Sequence, residues 1–207
     1  MTPAELFNKY ALSYSEKFMD VSQYADTLDV FCNGLPASAK VLDIACGPGN
    51  IAKYLLNKHP DMQLTGIDLA PDMLVIAKSV NPGATFRLMD CRDIASIRDQ
   101  FAGIMCAFCL PYLDKPDTIR LLADAANMLA DNGVIYISAM EGMNSDSAYS
   151  VNSAGDRMFI NYHEVAYLCD TLTASGCDII DIKRMTSPGN TSLKTNDVII
   201  IARRVTA

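Results

Sequence analysis

The chain has 207 residues, and half of them are hydrophobic, which is enough for one domain with a substantial core. Its formal net charge is −7 and no basic run is longer than Arg203-Arg204, which argues against a nucleic-acid backbone as the main partner because phosphate binding needs clustered cations. The longest apolar runs are shorter than the ~18 residues of a membrane span, and seven cysteines in mostly apolar surroundings favour a reducing, cytoplasmic setting.

The N-terminus is predicted to be helical. Thr2 is a cap residue and Glu5 completes a capping box, and this start lacks the basic flank and apolar core of a signal peptide. Tyr10, Tyr14 and Phe18 recur at helical spacing, so we expect them to share one aromatic face.

The most informative stretch is residues 41–50, Val-Leu-Asp-Ile-Ala-Cys-Gly-Pro-Gly-Asn. Its first four residues are typical of a buried strand, Gly47-Pro-Gly is a turn almost without side chains, and residues 51–58 follow with helical spacing. Strand, glycine turn and helix form the layout of a nucleotide pocket, because glycine lets a ligand approach the backbone and the helix start offers free N–H groups.

Asp43 separates two interpretations of this pocket. Gly47, Gly49 and Ala52, with Asp68 about 20 residues further on, also fit the dinucleotide pattern. A dinucleotide places its pyrophosphate on the turn, where the Asp43 carboxylate would repel it. S-adenosylmethionine (SAM) has no phosphate but carries a sulfonium, an amino group and a carboxylate, so an acid beneath the turn suits it better.

Strand and helix patterns alternate along the rest of the chain. Strands are predicted over residues 63–69, 84–89, 101–109 and 133–138. One helix is predicted to begin at Pro71, and another to span residues 116–130 and to end before Asn132-Gly133. After a helix over 163–174, two strands at 178–184 and 197–203 follow in succession, joined by a turn at Ser187-Pro-Gly-Asn. The predicted fold class is α/β: a three-layer, doubly wound, seven-stranded, mostly parallel sheet with a C-terminal antiparallel hairpin.

The segment at residues 41–50 resembles the first motif of class I (Rossmann-like) SAM-dependent methyltransferases, whose common form is hydrophobic-hydrophobic-Asp/Glu-x-Gly-x-Gly-x-Gly. Ala45 stands where that form has its first glycine. The reversed last strand is also typical of this family. The resemblance implies a methyltransferase domain over residues 37–207, preceded by an N-terminal helical segment, residues 1–36, that either packs on the domain or acts as a lid over the cofactor.

The resemblance also implies roles for individual residues. Asp68 would accept from both ribose hydroxyls, Asp90 from the adenine amino group (with Asp93 as the alternative), and the Cys91 backbone N–H would donate to the ring. Leu69 and Met73 are either adenine contacts or ordinary core residues. A carbonyl at Cys106 or Ala107 would accept from the methionine ammonium, and Tyr14 would reach the methionine carboxylate. The remaining expected cofactor-binding residues belong to the first motif: Asp43, Ala45, Cys46, Gly47, Gly49 and Asn50.

The acceptor side is less defined by the sequence. Residues 140–162 are polar, follow a central strand and predict a long loop at the ligand edge that walls the acceptor site. His163 is interpreted as a residue flanking a helix start, with a catalytic base as the alternative. Cys106 and Cys109 are interpreted as buried thiols, because a zinc site needs about four ligands and a redox pair normally sits at a helix start.

These patterns predict a metal-independent enzyme that methylates a small molecule with SAM and releases S-adenosylhomocysteine (SAH). The sequence identifies no catalytic residue. It contains no Asn-Pro-Pro-Tyr motif, which argues against methylation of an exocyclic base nitrogen or a glutamine amide through that motif. Two alternatives stay open: a non-catalytic SAM-binding regulatory protein and an NAD(P)-dependent oxidoreductase. The expected partner is a small-molecule methyl acceptor, with neither nucleic acid nor membrane, and both the acceptor atom and the oligomeric state are open.

Overall fold

A computed structural model describes residues 1–152, 154–186 and 196–206. The chain begins with three helices, α1 (Pro3–Lys9), α2 (Ala11–Phe18) and α3 (Ala25–Asn33). Alternating strands and helices follow: β1 (Lys40–Ile44), α4 (Asn50–Lys58), β2 (Gln63–Asp68), α5 (Pro71–Val80), β3 (Thr85–Leu88), β4 (Phe101–Cys106), α6 (Lys115–Asn127) and β5 (Leu129–Glu141). The last elements are β6 (Ala148–Val151), β7 (Arg157–Ile160), α7 (Val165–Ala174), β8 (Cys177–Thr186) and β9 (Asn196–Arg204).

Seven strands form one sheet in the order β3-β2-β1-β4-β5-β9-β8. The first five strands pair in parallel, whereas β9 runs antiparallel to both β5 and β8. The predicted seven-stranded sheet with its C-terminal antiparallel hairpin is therefore confirmed. The turn predicted at Ser187-Pro-Gly-Asn lies outside the described residues.

Helices cover both faces of this sheet, as a doubly wound fold requires. Side chains of α6 and α7, such as Leu122 and Leu168, pack into the apolar cluster on one face. Side chains of α3, α4 and α5, such as Phe31, Leu55 and Leu74, pack on the other. Parallel strands buried on both faces read as continuous apolar runs, which explains the run at the start of the 41–50 stretch. None of the helices within the described ranges has the length and apolar character that a bilayer span requires.

The chain reverses its direction across the sheet between β1 and β4. From β1 it proceeds outward through β2 to β3, and it then crosses back to place β4 on the other side of β1. An open α/β sheet binds its ligands at such a switch point, in the crevice at the carboxyl ends of the strands. The fold therefore directs attention to the residues that follow β1 and β4.

The predicted ends of β4 and α6 were wrong. β4 ends at Cys106 rather than Cys109, since Phe108 adopts a left-handed conformation (φ 58°) that turns the chain out of the sheet. α6 ends at Asn127 and β5 already begins at Leu129. Asn132 (φ 60°) and Gly133 mark an irregularity within β5, where the pairing with β4 changes register, and not the end of a helix.

The segment over residues 140–162 was predicted as a loop and is largely regular. β5 continues to Glu141, and β6 and β7 form a separate antiparallel hairpin with Tyr149 opposite Phe159. Its mainly exposed residues gave no apolar alternation strong enough to stand out from a polar loop. The predicted N-terminal aromatic face holds for Tyr14 and Phe18, whose ring centroids lie 4.6 Å apart on α2, whereas Tyr10 lies at the break between α1 and α2 and its hydroxyl bonds Asp156.

Candidate cofactor-binding site

A cavity of about 390 Å³ lies at the switch point, between the carboxyl ends of the strands and the N-terminal helices. This volume falls in the range of small-molecule sites. The predicted cofactor residues converge on this cavity with two exceptions, Gly49 and Cys106. Those that line it are Tyr14, Asp43, Ala45, Cys46, Gly47, Asn50, Asp68, Leu69, Met73, Asp90, Cys91 and Ala107.

The two glycines of the turn serve different purposes. Gly47 has φ 52°, and a Cβ built on it meets no atom within 4 Å, so its missing side chain leaves open space at the cavity wall. Gly49 has φ 78°, and a Cβ there would lie 2.5 Å from Asn81 Nδ2, which donates to the Gly49 carbonyl. Gly49 is therefore required by packing beneath the turn, whereas Gly47 borders the space for a ligand.

Two carboxylates face the turn from β1 and β2. Asp43 is 2% exposed and its Oδ2 has no hydrogen-bond partner among the described residues. Burial, with the nearby charge of Asp68, raises the pKa of Asp43 to about 8. Asp68 is held in place by the N–H groups of Gly47 (2.9 Å) and Ala70 (2.8 Å), one on each carboxylate oxygen, and burial raises its pKa as well. A buried acid without a partner beside an anchored one suits a ligand that carries positive charge and hydroxyl groups.

Asp90 and its neighbours form the wall that follows β3. The Asp90 carboxylate accepts from the Arg92 backbone N–H and guanidinium, which lowers the pKa of Asp90. The predicted adenine acceptor is thus already charge-paired, a contact that the sequence analysis did not foresee. The Cys91 Sγ lies 3.9 Å from that of Cys109, and this hydrogen bond, together with burial, raises the pKa of Cys91 well above its ordinary range.

The two apolar candidates from β2 and α5 differ in exposure. Leu69 is 41% exposed, whereas Met73 is 1% exposed and packs with Ala11 and Ala70 in a small cluster beneath the N-terminal helices. Met73 is therefore mainly a core residue that reaches the cavity wall, and Leu69 is the one with free surface.

The exit of β4 contains a residue that the sequence analysis did not single out. Phe108 lines the cavity in its left-handed conformation, and its N–H donates to Ser138 Oγ at 2.7 Å. Ser138 is 1% exposed on the neighbouring strand β5. Non-glycine residues with positive φ are sparsely populated and cluster at functional sites, and Ala45 (φ 54°) is a second one in the same cavity. Cys106 lies in the strand itself, and with Cys109 it is buried, as predicted.

The N-terminal helices form the remaining wall and are fastened to the glycine turn. The Asn50 side chain, at the start of α4, donates to the Phe18 carbonyl at 2.8 Å, so this residue secures the end of α2. Asn8 exchanges two hydrogen bonds with Asp72 at the start of α5. The ring of Tyr14 packs against those of Phe7 (5.5 Å) and Phe18 (4.6 Å), and burial with the charge of Asp68 raises the pKa of Tyr14 to about 12.

The β6–β7 hairpin contacts the same N-terminal segment. Asp156 accepts from Tyr10 Oη and Lys9 Nζ, both at 2.6 Å, across the break between α1 and α2. His163 follows the hairpin and is fully buried, with Nε2 2.8 Å from the Leu110 carbonyl and Nδ1 hydrogen-bonded to the Tyr167 hydroxyl. Both ring nitrogens are engaged and burial lowers the pKa of His163, so its position is that of a structural brace rather than a base facing the cavity.

Comparisons with known proteins agree with this geometry. A sequence profile described as a methyltransferase domain matches residues 41–133. The trans-aconitate 2-methyltransferase of Methylobacterium nodulans is 29% identical over 170 residues, covering 73% of this chain and 62% of that enzyme. The chain spans about half the length of the curated relatives it matches, from 27% to 62% for four of them.

Solved structures share the whole fold at low identity. The N-methyltransferase NodS of Bradyrhizobium japonicum, in complex with SAH, has a TM-score of 0.72 at 14% identity, with 97% of each chain covered. The [4+2]-cyclase SpnF has a TM-score of 0.67 at 15% identity, with 88% of this chain and 82% of SpnF covered. The profile match over residues 41–133, the glycine turn and the reversed last strand make the chain similar to class I SAM-dependent methyltransferases.

Proposed function

We propose that the chain binds SAM in the switch-point cavity and transfers its methyl group to a small molecule by in-line displacement, releasing SAH. The observation that carries this proposal is the pair Asp43 and Asp68 at the glycine turn. A pyrophosphate on this turn would face two acids, one buried without a partner. The ammonium, sulfonium and ribose hydroxyls of SAM match both acids.

Each wall of the cavity has a role in this proposal. Asp68 keeps two backbone N–H bonds and offers its remaining lone pairs to the ribose hydroxyls, which are adjacent like its oxygens. Asp90 and the Cys91 N–H bind the adenine edge, with Leu69 against the ring. The carbonyl of Ala107, at the exit of β4, accepts from the methionine ammonium, and the bound cation favours the charged form of Asp43, which burial otherwise keeps protonated.

Methyl transfer from a sulfonium places modest demands on the protein's own chemistry. The leaving group is good, so alignment of the nucleophile with the methyl carbon at near-contact distance supplies much of the rate. A base is needed only when the acceptor must lose a proton before attack. Phe108 lines the cavity with a left-handed backbone conformation, its N–H donates to Ser138 Oγ, and it is suited to fix that alignment.

The proposed lid is confined to residues 3–18. α3 contributes Leu28 and Phe31 to the core of the sheet and so belongs to the methyltransferase domain. α1 and α2 instead rest on the cavity through Phe7 and Tyr14 and are fastened at their ends by polar contacts. The division into a lid and a domain follows this difference in packing.

The test is turnover, because a cyclase also has this fold and binding alone does not establish methyl transfer. The protein is incubated with SAM and a pool of small metabolites that includes trans-aconitate, and SAH is measured by mass spectrometry. We expect acceptor-dependent SAH that Asp68→Asn strongly reduces. Binding of SAM without turnover by any fraction would favour the non-catalytic alternative, and binding of NADH without SAM would favour the oxidoreductase.

A further inference from the structure

One part of the cavity wall is not accounted for by the cofactor. Phe7, Phe108 and Tyr112 line the cavity beside Tyr14, and Phe7 lies edge-on to both tyrosines. Its ring centroid is 5.5 Å from that of Tyr14 and 5.0 Å from that of Tyr112, with interplanar angles of 88° and 75°. Tyr24 supports this wall from behind, 4.9 Å from Phe108. Mutually perpendicular rings present π faces in more than one direction.

The two tyrosines of this wall carry unengaged hydroxyls. Tyr14 and Tyr112 both line the cavity, and neither hydroxyl has a hydrogen-bond partner among the described residues. Burial raises the pKa of both phenols, so they remain neutral near pH 7 and each oxygen keeps lone pairs that can accept from an N–H group. A neutral phenol is a poor base but a suitable acceptor.

The charges around this wall are predominantly negative. Arg92 is the one cation among the described lining residues, and it is paired with Asp90 at the other end of the cavity. The lining also contains the carboxyl groups of Asp43 and Asp68. An acceptor with a carboxylate or phosphate would meet these acids, whereas a group that gains positive charge is favoured by them and by the π faces.

We propose that the methyl acceptor is a small amine without an acidic group, bound at its nitrogen by Phe7 and Tyr112 beside the cofactor residue Tyr14. This inference rests on the proposed function. The amine lone pair forms the new N–C bond while the C–S bond breaks and leaves its electron pair on sulfur, giving SAH and a methylated ammonium that then loses its proton to water. Positive charge moves from sulfur to nitrogen during the step, so the aromatic wall stabilises the transition state, and no base has to act before a neutral amine attacks.

The test uses the protein–SAH complex and three probes of similar shape. Choline mimics a methylated ammonium product, 3,3-dimethylbutan-1-ol is its uncharged carbon counterpart, and 3,3-dimethylbutanoate carries the opposite charge. Titration calorimetry at saturating SAH is expected to show choline binding at least ~10-fold more tightly than the alcohol, and the carboxylate more weakly than either. This comparison on the unaltered protein does not depend on any variant folding.

Variants test whether the aromatic residues of the cavity cause the preference for choline over the alcohol. Tyr112→Leu is expected to reduce the choline-to-alcohol preference at least ~5-fold while SAH affinity changes less than ~3-fold. Tyr149→Leu is the matched control, since Tyr149 is 61% exposed on the hairpin and outside the cavity lining. Equal binding of the three probes, tighter binding of the carboxylate, or no probe binding to a saturated SAH complex overturns the amine inference alone. Failure of SAH itself to bind overturns the proposed function and this inference together.

Discussion

At the scale of single residues, the two glycines of the turn have different neighbours: Gly47 borders the open cavity, whereas Gly49 packs against Asn81. Gly47 and Gly49 both have positive φ, so an alanine at either position pays a similar conformational cost of roughly 1–2 kcal/mol. Only the Cβ at position 49 collides, with Asn81 Nδ2. The two positions are therefore a natural matched pair.

We expect Gly47→Ala to weaken SAH binding at least ~10-fold, because its methyl group occupies the open space at the cavity wall. Gly49→Ala is expected to lower the melting temperature more than Gly47→Ala does, since it also disturbs the Asn81 Nδ2 bond to the Gly49 carbonyl. Titration calorimetry and thermal melts of both variants measure this. If Gly47→Ala bound SAH as tightly as the unaltered protein, that residue would not border the ligand.

Asp43 predicts a pH dependence of folding stability. Its pKa is raised to about 8 in the folded chain, so between pH 4 and pH 8 the folded state holds a proton that the unfolded state has released. The free energy of unfolding therefore falls as pH rises through this window, by up to about 1.4 kcal/mol per pH unit from this group. Urea unfolding at pH 5, 6 and 7 should show a shallower fall for Asp43→Asn than for the unaltered protein. Parallel curves would contradict the assignment of a buried, protonated Asp43.

At the scale of elements, the N-terminal helices and the β6–β7 hairpin are joined across 146 positions of sequence by the Tyr10–Asp156 contact. The strand, turn and helix at residues 40–58 could be predicted because their signals are local: apolar run, glycine turn, helical spacing. The hairpin, the Asp156 contact and the Asn50 bond to Phe18 could not, since each depends on which distant polar atoms the fold brings together. Asn132-Gly133 shows the same limit, because the same two residues suit a helix stop and a strand irregularity.

We expect Asp156→Ala to speed amide hydrogen exchange in residues 3–18, because both bonds that hold the break at Tyr10 are lost. Exchange in β1 and β4 should not change, since the Asp156 side chain bonds Lys9 and Tyr10 of the N-terminal segment. Asp131→Ala, an exposed acid elsewhere on the surface, is the control. Added SAH should slow exchange over residues 3–18 in the unaltered protein. Identical exchange rates there in all states would mean that the segment is fixed packing and not a lid.

At the scale of the whole molecule, the switch point between β1 and β4 gathers residues from the exits of β1, β2, β3 and β4 into one cavity. The sequence motif predicted the cofactor side of this cavity, because that side is built from short local segments after successive strands. The acceptor side is assembled from the N-terminal helices and the exit of β4, which are far apart in sequence. The contact between the rings of Phe7 and Tyr112 therefore depends on the tertiary fold and could not be predicted from local patterns.

The central claim is that Asp43 and Asp68 make this cavity a site for SAM and not for a dinucleotide. Titration calorimetry of SAH and of NADH against the unaltered protein and Asp68→Asn tests it most directly. We predict one SAH per chain, an affinity at least ~10-fold weaker for Asp68→Asn through the loss of charge-assisted bonds worth roughly 1.5–3 kcal/mol each, and no heat of binding with NADH. Saturable NADH binding without SAH binding, or equal SAH affinity in both proteins, would contradict the account.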